Sequence, residues 1–160
     1  MRSKSSIVRT AVAAAAAIAV ASLAPPALAS LGGTAASVNS DSSALRGMLR
    51  STPEVQYDVQ EIDSSAVTVR EYVTRAGQVF AVTWQGIAPP DFQQLLGSYY
   101  TRLQAGAAAA HRTQGPAANR HYGINQSDFV MHSMGRMGNF HGVAYIPSLV
   151  PAGVDVGQLP

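Results

Sequence analysis

Apolar and polar positions alternate most clearly in the middle of the chain. Val67, Val69 and Val73 repeat along one segment, and Phe80, Val82 and Trp84 along the next. This is the two-residue period of half-buried strands. A four-residue loop, Arg75-Ala76-Gly77-Gln78, sets Val73 opposite Phe80 and Val69 opposite Trp84, with all six side chains on one face. A three-residue loop would slip the register by one and turn the valines from the aromatics. Gly77 suits the positive-φ position of such a loop. This register leaves Glu71 on the apolar face, opposite Val82. A buried carboxylate is costly unless paired, so the expectation is a bulge at Arg70-Glu71, an edge position, or a cation meeting it.

After this hairpin, Gly86-Ile87-Ala88-Pro89-Pro90 forces an extended connection. Asp91 stands where a helix N-cap belongs. Phe92, Leu95, Leu96, Tyr99 and Leu103 then follow helical spacing. That stripe is expected to pack on the apolar face of the hairpin. A second hairpin runs through Phe129–Met134 and Asn139–Ile146 around Gly135-Arg136-Met137-Gly138. With Arg136-Met137 at the tip, His132 faces His141, and Phe129, Met131, Phe140 and Ala144 share the other side.

The flanking regions are less patterned. Leu31-Gly32-Gly33 reads as a flexible start, and Ser42 or Ser43 as the cap of a short helix carrying Ala44, Leu45, Met48 and Leu49. An ordered loop is the alternative there. Tyr57–Ile62 alternates as an edge strand whose acidic residues deter foreign pairing. Residues 105–124, with Gly106, Gly115, Gly123 and Pro116, read as a flexible loop. The Pro- and Gly-punctuated tail from Pro147 should run extended and pack Leu149 and Val150. The sum is a small single α+β domain over 30–160, antiparallel β-hairpins packed on one amphipathic helix.

Composition changes the picture mainly at the N-terminus. Arg2, Lys4 and Arg9 precede an Ala-rich apolar run, Ala11–Leu23, and Ala27-Leu28-Ala29 is a small-x-small cleavage pattern. Residues 1–29 therefore read as a bacterial secretory signal peptide, with export to the periplasm or beyond. The run is short and weakly hydrophobic for a membrane span, and no second run of spanning length follows. Three cations leave with the leader. Eight Arg then face nine acidic residues from Ser30 onward, a formal net charge of −1 without any Lys. The basic balance thus belongs to the precursor and does not point to nucleic acid. The chain has no Cys, which excludes thiol chemistry and disulfides.

Candidate chemistry is sparse. His132 and His141, if opposed on adjacent strands, could share a divalent metal with a third ligand from His111, His121 or Asp128. The bland alternative is two surface histidines. There is no HExxH, no phosphate-cradling GxxxxGK[ST], no GxGxxG and no GxSxG. Glu61 and Asp63 lie on the expected edge, without the apolar setting that would separate their pKa values. No catalytic, cofactor-binding or metal residue is assigned. Two readings follow: an exported non-enzymatic domain binding an envelope or secreted protein partner at a sheet edge or through its Arg/His-bearing loop, and a metal-dependent or hydrolytic enzyme on His132 and His141.

Several short motifs carry a resemblance. They are Leu31-Gly32-Gly33, Arg70-Glu71-Tyr72-Val73, Gly77–Val82, Trp84-Gln85-Gly86, Pro90-Asp91 and Leu96-Gly97-Ser98-Tyr99. Gly135-Arg136-Met137, Gly142–Pro147 and Pro151–Val154 continue it. Together they resemble the exported bacterial family known as Domain of unknown function 2844, across essentially all of the chain after the leader. That resemblance implies export but no activity, substrate, cofactor or site residue.

Overall fold

The computed structural model describes residues 31–114 and 121–159. Its strands are β1 (Met48–Pro53), β2 (Tyr57–Asp63), β3 (Val67–Thr74), β4 (Val79–Gly86), β5 (His121–Asn125), β6 (Val130–Arg136) and β7 (Asn139–Tyr145). They form one antiparallel sheet in the order β1-β2-β3-β4-β7-β6-β5. Helices α1 (Val38–Leu45), α2 (Phe92–Leu96) and α3 (Tyr100–Gln114) complete an α+β fold. No helix among the described residues is long and apolar enough to cross a membrane.

The sheet has two differently dressed faces. On the inner face Val67, Val69, Val82, Trp84, Met131 and Ala144 are buried beneath Leu95 and Leu96, with Phe92, Tyr99, Tyr100 and Leu103 packed around them. The apolar helix stripe read from the sequence is therefore the inner layer. On the outer face Val59, Tyr72, Phe80 and Ala81 are covered by Tyr57, Tyr145 and the tail residues Leu149, Val150, Val154 and Leu159. The tail packs as expected and adds two short 3-10 turns, Pro147–Leu149 and Val156–Gln158.

The first hairpin combines both loop registers that the sequence opposes to each other. Near the turn Val73 pairs with Val79, and Thr74 N–H donates to the Gln78 carbonyl at 2.8 Å. From Tyr72 onward the register is that of the longer loop, with Tyr72 opposite Ala81, Glu71 opposite Val82 and Val69 opposite Trp84. Phe80 is the extra residue between them, a β-bulge. The bulge corrects one expected placement: Val79 takes the inner position and Phe80 turns outward. There it meets Tyr57 edge-on at 5.7 Å and Tyr72 at 6.1 Å. No shift of register occurs at Arg70-Glu71.

Other expectations are corrected by backbone pairing. The single helix is broken at Gly97, whose φ is +51°, so α2 and α3 are separate, joined by a 3-10 turn at Gly97–Tyr99. Asp91 caps α2 as expected, accepting from Gln93 N–H at 2.9 Å and Gln94 N–H at 3.2 Å. Residues 105–124 are not an irregular loop throughout: α3 runs on to Gln114 and β5 begins at His121, with 115–120 outside the described residues. β2 is not an edge strand, because β1 pairs along it from Met48↔Asp63 to Pro53↔Asp58. Ser42 and Ser43 end α1 rather than start it, their carbonyls accepting from Gly47 and Arg46 N–H. The start at Leu31 is fixed as well. Leu31 is buried, its N–H donates to the Leu95 carbonyl, and Gly32 N–H donates to the Val79 carbonyl.

Candidate functional site

Two clusters of polar side chains stand out, one on each face of the sheet. The outer cluster follows a row that crosses the sheet through Arg50, Glu61, Arg70, Thr83, Val143, His132 and Gly123. Antiparallel pairing aligns one residue from each strand, and the period of two sends this whole row to the outer face. Arg70 Nε donates to Glu61 Oε2 at 2.8 Å, and Arg50 stands 4.0 Å from the other oxygen of Glu61. Thr83 shares a 3.2 Å hydrogen bond with the Tyr72 hydroxyl. Burial lifts the Tyr72 hydroxyl above the ordinary phenol range, partly offset by this bond.

Beside this row lies a groove of about 330 Å³, lined among others by Arg70, Thr83, Gln85, His132, His141 and Val143. Val156 and Leu159 of the tail close one side. The lining contains an arginine, two imidazoles and an exposed glutamine, and no carboxylate.

The histidines are not directly opposed. The turn of the second hairpin is Met137-Gly138, with Gly138 at φ +76°, and it pairs Arg136 with Asn139. Glycine takes that conformation without the steric cost of a Cβ. Moving the tip by one residue slides the register, so His132 faces Val143 and His141 faces Met134. Because the slide keeps parity, both histidines stay on the outer face and line the same groove. Phe129, Met131 and Ala144 occupy the inner face as read from the sequence.

The proposed third ligands do not join them. Asp128 accepts from Arg102 of α3 at 2.6 Å, and that guanidinium holds its carboxyl below the usual range. His111 is exposed on α3, whose Tyr100 and Leu103 pack on the opposite face of the sheet. His121 pairs through its backbone with Met134, and its side chain lies outside the described residues. Among the described residues, no group of three or more His, Asp or Glu could hold a metal.

The inner cluster was half visible in the sequence. Glu71 is buried opposite Val82, and what meets it is a second carboxyl rather than a cation. Asp41 of α1 is also fully buried and accepts from Gln94 Nε2 of α2 at 2.6 Å. Taken as ionised, Asp41 Oδ2 and both oxygens of Glu71 lack a donor. A proton on Glu71 supplies one. Desolvation first, then the hydrogen bond and the charge of Asp41, push the Glu71 carboxyl up to about 9. Burial also raises Asp41, while its hydrogen bonds from Glu71 and Gln94 act the other way. Asp41 was legible in principle: Val38, Asp41 and Leu45 stand three and four residues apart, on one side of α1.

Residues 27–159 match the family described as Protein of unknown function (DUF2844), so the chain belongs to that family. No curated protein matches it, and no solved structure does.

Proposed function

We propose that this DUF2844 member is an exported, non-enzymatic binding domain whose outer groove takes an extended acidic segment of a protein partner in the bacterial envelope. One observation carries the reading: the groove that crosses four neighbouring strands and is lined by Arg70, Gln85, His132 and His141 without a carboxylate. Three inter-strand spacings of about 4.8 Å make a span of roughly 14 Å, the length of about four extended residues. Arg, Gln and His offer donors to carboxylates and carbonyls along such a segment. Arg50 and Arg70 both stand by the single carboxylate of Glu61, so an excess positive charge steers the partner and hydrogen bonds fix its register.

Export rests on the leader, residues 1–29, whose charged start, apolar run and Ala27-Leu28-Ala29 pattern fit cleavage before Ser30. Cleavage there leaves one residue ahead of Leu31, which is buried and hydrogen-bonded to the Leu95 carbonyl.

A photo-crosslinking amino acid at Gln85, exposed in the groove, tests both parts in living cells. The same group at Gln93, exposed on α2, is the control. The expected product is an envelope-fraction adduct at position 85 and none at 93, joined to an acidic stretch of the partner. Equal labelling at both sites, or an uncleaved protein confined to the cytoplasm, contradicts the proposal.

A further inference from the structure

Among the described residues the buried polar side chains are Ser37, Asp41 and Glu71, and the last two are carboxyls. The two carboxyls come from different elements, α1 and β3, and both are fully buried. With both ionised, three of their four oxygens would lack a donor. None of the ion pairs among the described residues includes either one. Gln60 of β2 and Val82 of β4, both neutral, flank Glu71 in register, and the neutral Gln94 of α2 donates to Asp41. Gln60 is itself turned to Ser51 Oγ, at 2.8 Å. Two buried carboxylates with no cation between them repel each other and cannot both remain ionised.

We propose that Asp41 and Glu71 act as a proton-held latch: one shared proton docks α1 on the inner face of the sheet, and loss of that proton releases α1. Gln94 decides how the proton is shared. Its amide stabilises Asp41 as the acceptor, leaving Glu71 as the donor. Released, both groups are hydrated and ionise in the ordinary carboxyl range. The docked state therefore binds one proton more than the released state between that range and about 9, the position of Glu71. Rising pH must weaken docking tenfold per unit across that window. The exported protein would hold α1 shut in acidic surroundings and loosen it as they turn alkaline.

This inference is independent of the outer groove, which lies on the other side of the sheet. Hydrogen exchange of the purified protein, read as protection factors between pH 5 and 9, tests it. Protection of the α1 amides should fall about tenfold per pH unit and stay below that of β3 and β4 at every pH, since release of α1 precedes global unfolding. In Glu71→Gln the amide donates to Asp41 without titrating, so protection of α1 should become independent of pH. A flat profile in the parent, or an unchanged slope in Glu71→Gln, overturns the latch. Should Glu71→Gln fail to fold, Asp41→Asn replaces it. There the Asn amide can donate to an ionised Glu71, and the window must move to lower pH; an unmoved window overturns the proposal. Restoration of α1 protection at pH 9 by millimolar calcium would also overturn it, since the pair would then be a cation site.

Discussion

Trp84 lies across Gly142 of the neighbouring strand, so that a Cβ at position 142 would stand 2.4 Å from Trp84 Cζ2 and 2.4 Å from the His132 carbonyl oxygen. The glycine is what lets the indole lie flat over β7 while Phe92 of α2 meets it edge-on at 5.1 Å. Gly142→Ala should therefore destabilise the fold by at least about 1–3 kcal/mol, the range for overpacking a core. Urea denaturation of the variant checks this. An unchanged midpoint would mean that the indole does not occupy this position.

Trp84→Ala should cost about 3–5 kcal/mol, because the side chain is 2% exposed within the inner core. The protein has a single Trp, so its fluorescence reports this site alone. A blue-shifted emission that moves red on unfolding is expected. Solvated emission from the folded protein would contradict the assignment of the inner face.

Global stability should fall as pH rises, and the sign follows from Glu71. Its carboxyl is raised from 4.5 to about 9, so the folded state holds a proton that the unfolded state has lost. The contribution is fully present below about 4.5 and is lost progressively up to about 9. The slope for one proton is about 1.4 kcal/mol per pH unit. Denaturant midpoints at pH 5 and 8 should differ in that direction. Higher stability at pH 8 would show that the pair is ionised and compensated.

His132→Ala combined with His141→Ala should leave stability within about 1 kcal/mol of the parent. His132 is exposed and His141 half-buried, and changes on such surfaces are small. Calorimetry with zinc should give no tight one-to-one site. Stoichiometric zinc, lost in the double variant, would bring the hydrolytic reading forward.

How much of this was legible depends on whether side chains or backbone carry the signal. The inner face was readable because Val69, Trp84, Leu95 and Tyr99 repeat with the periods of their elements. β1 was not, since Met48–Pro53 is nearly all exposed and exists as a strand through its ladder to β2. β5 hid because its sequence, His121-Tyr122-Gly123-Ile124-Asn125, alternates apolar residues only at Tyr122 and Ile124, though Ile124 is buried in the core. The bulge at Phe80 escaped because the alternation of Phe80, Val82 and Trp84 is unbroken; only the closure of the turn demands the extra residue. Glu71 was legible as an oddity, but its partner Asp41 sits thirty residues earlier in a stretch of Ser and Ala. Charge patterning alone does not announce two acids that meet through a proton.

Secreted protein should begin at Ser30 on N-terminal sequencing, because Ala27 and Ala29 fit the small side-chain positions before a signal peptidase cleavage. Intact Met1 recovered from the membrane fraction would instead make the apolar run an anchor.

Binding of an acidic segment in the outer groove can be followed by titrating the isotope-labelled protein with an extended acidic tetrapeptide and recording backbone amide shifts. Saturable shifts are predicted at Thr83, Gln85, His141 and Val143, with α2 and α3 unmoved and the response lost when His132 and His141 are both Ala. Shifts centred on the helices, or no saturation at millimolar peptide, would show that the groove is not the binding site.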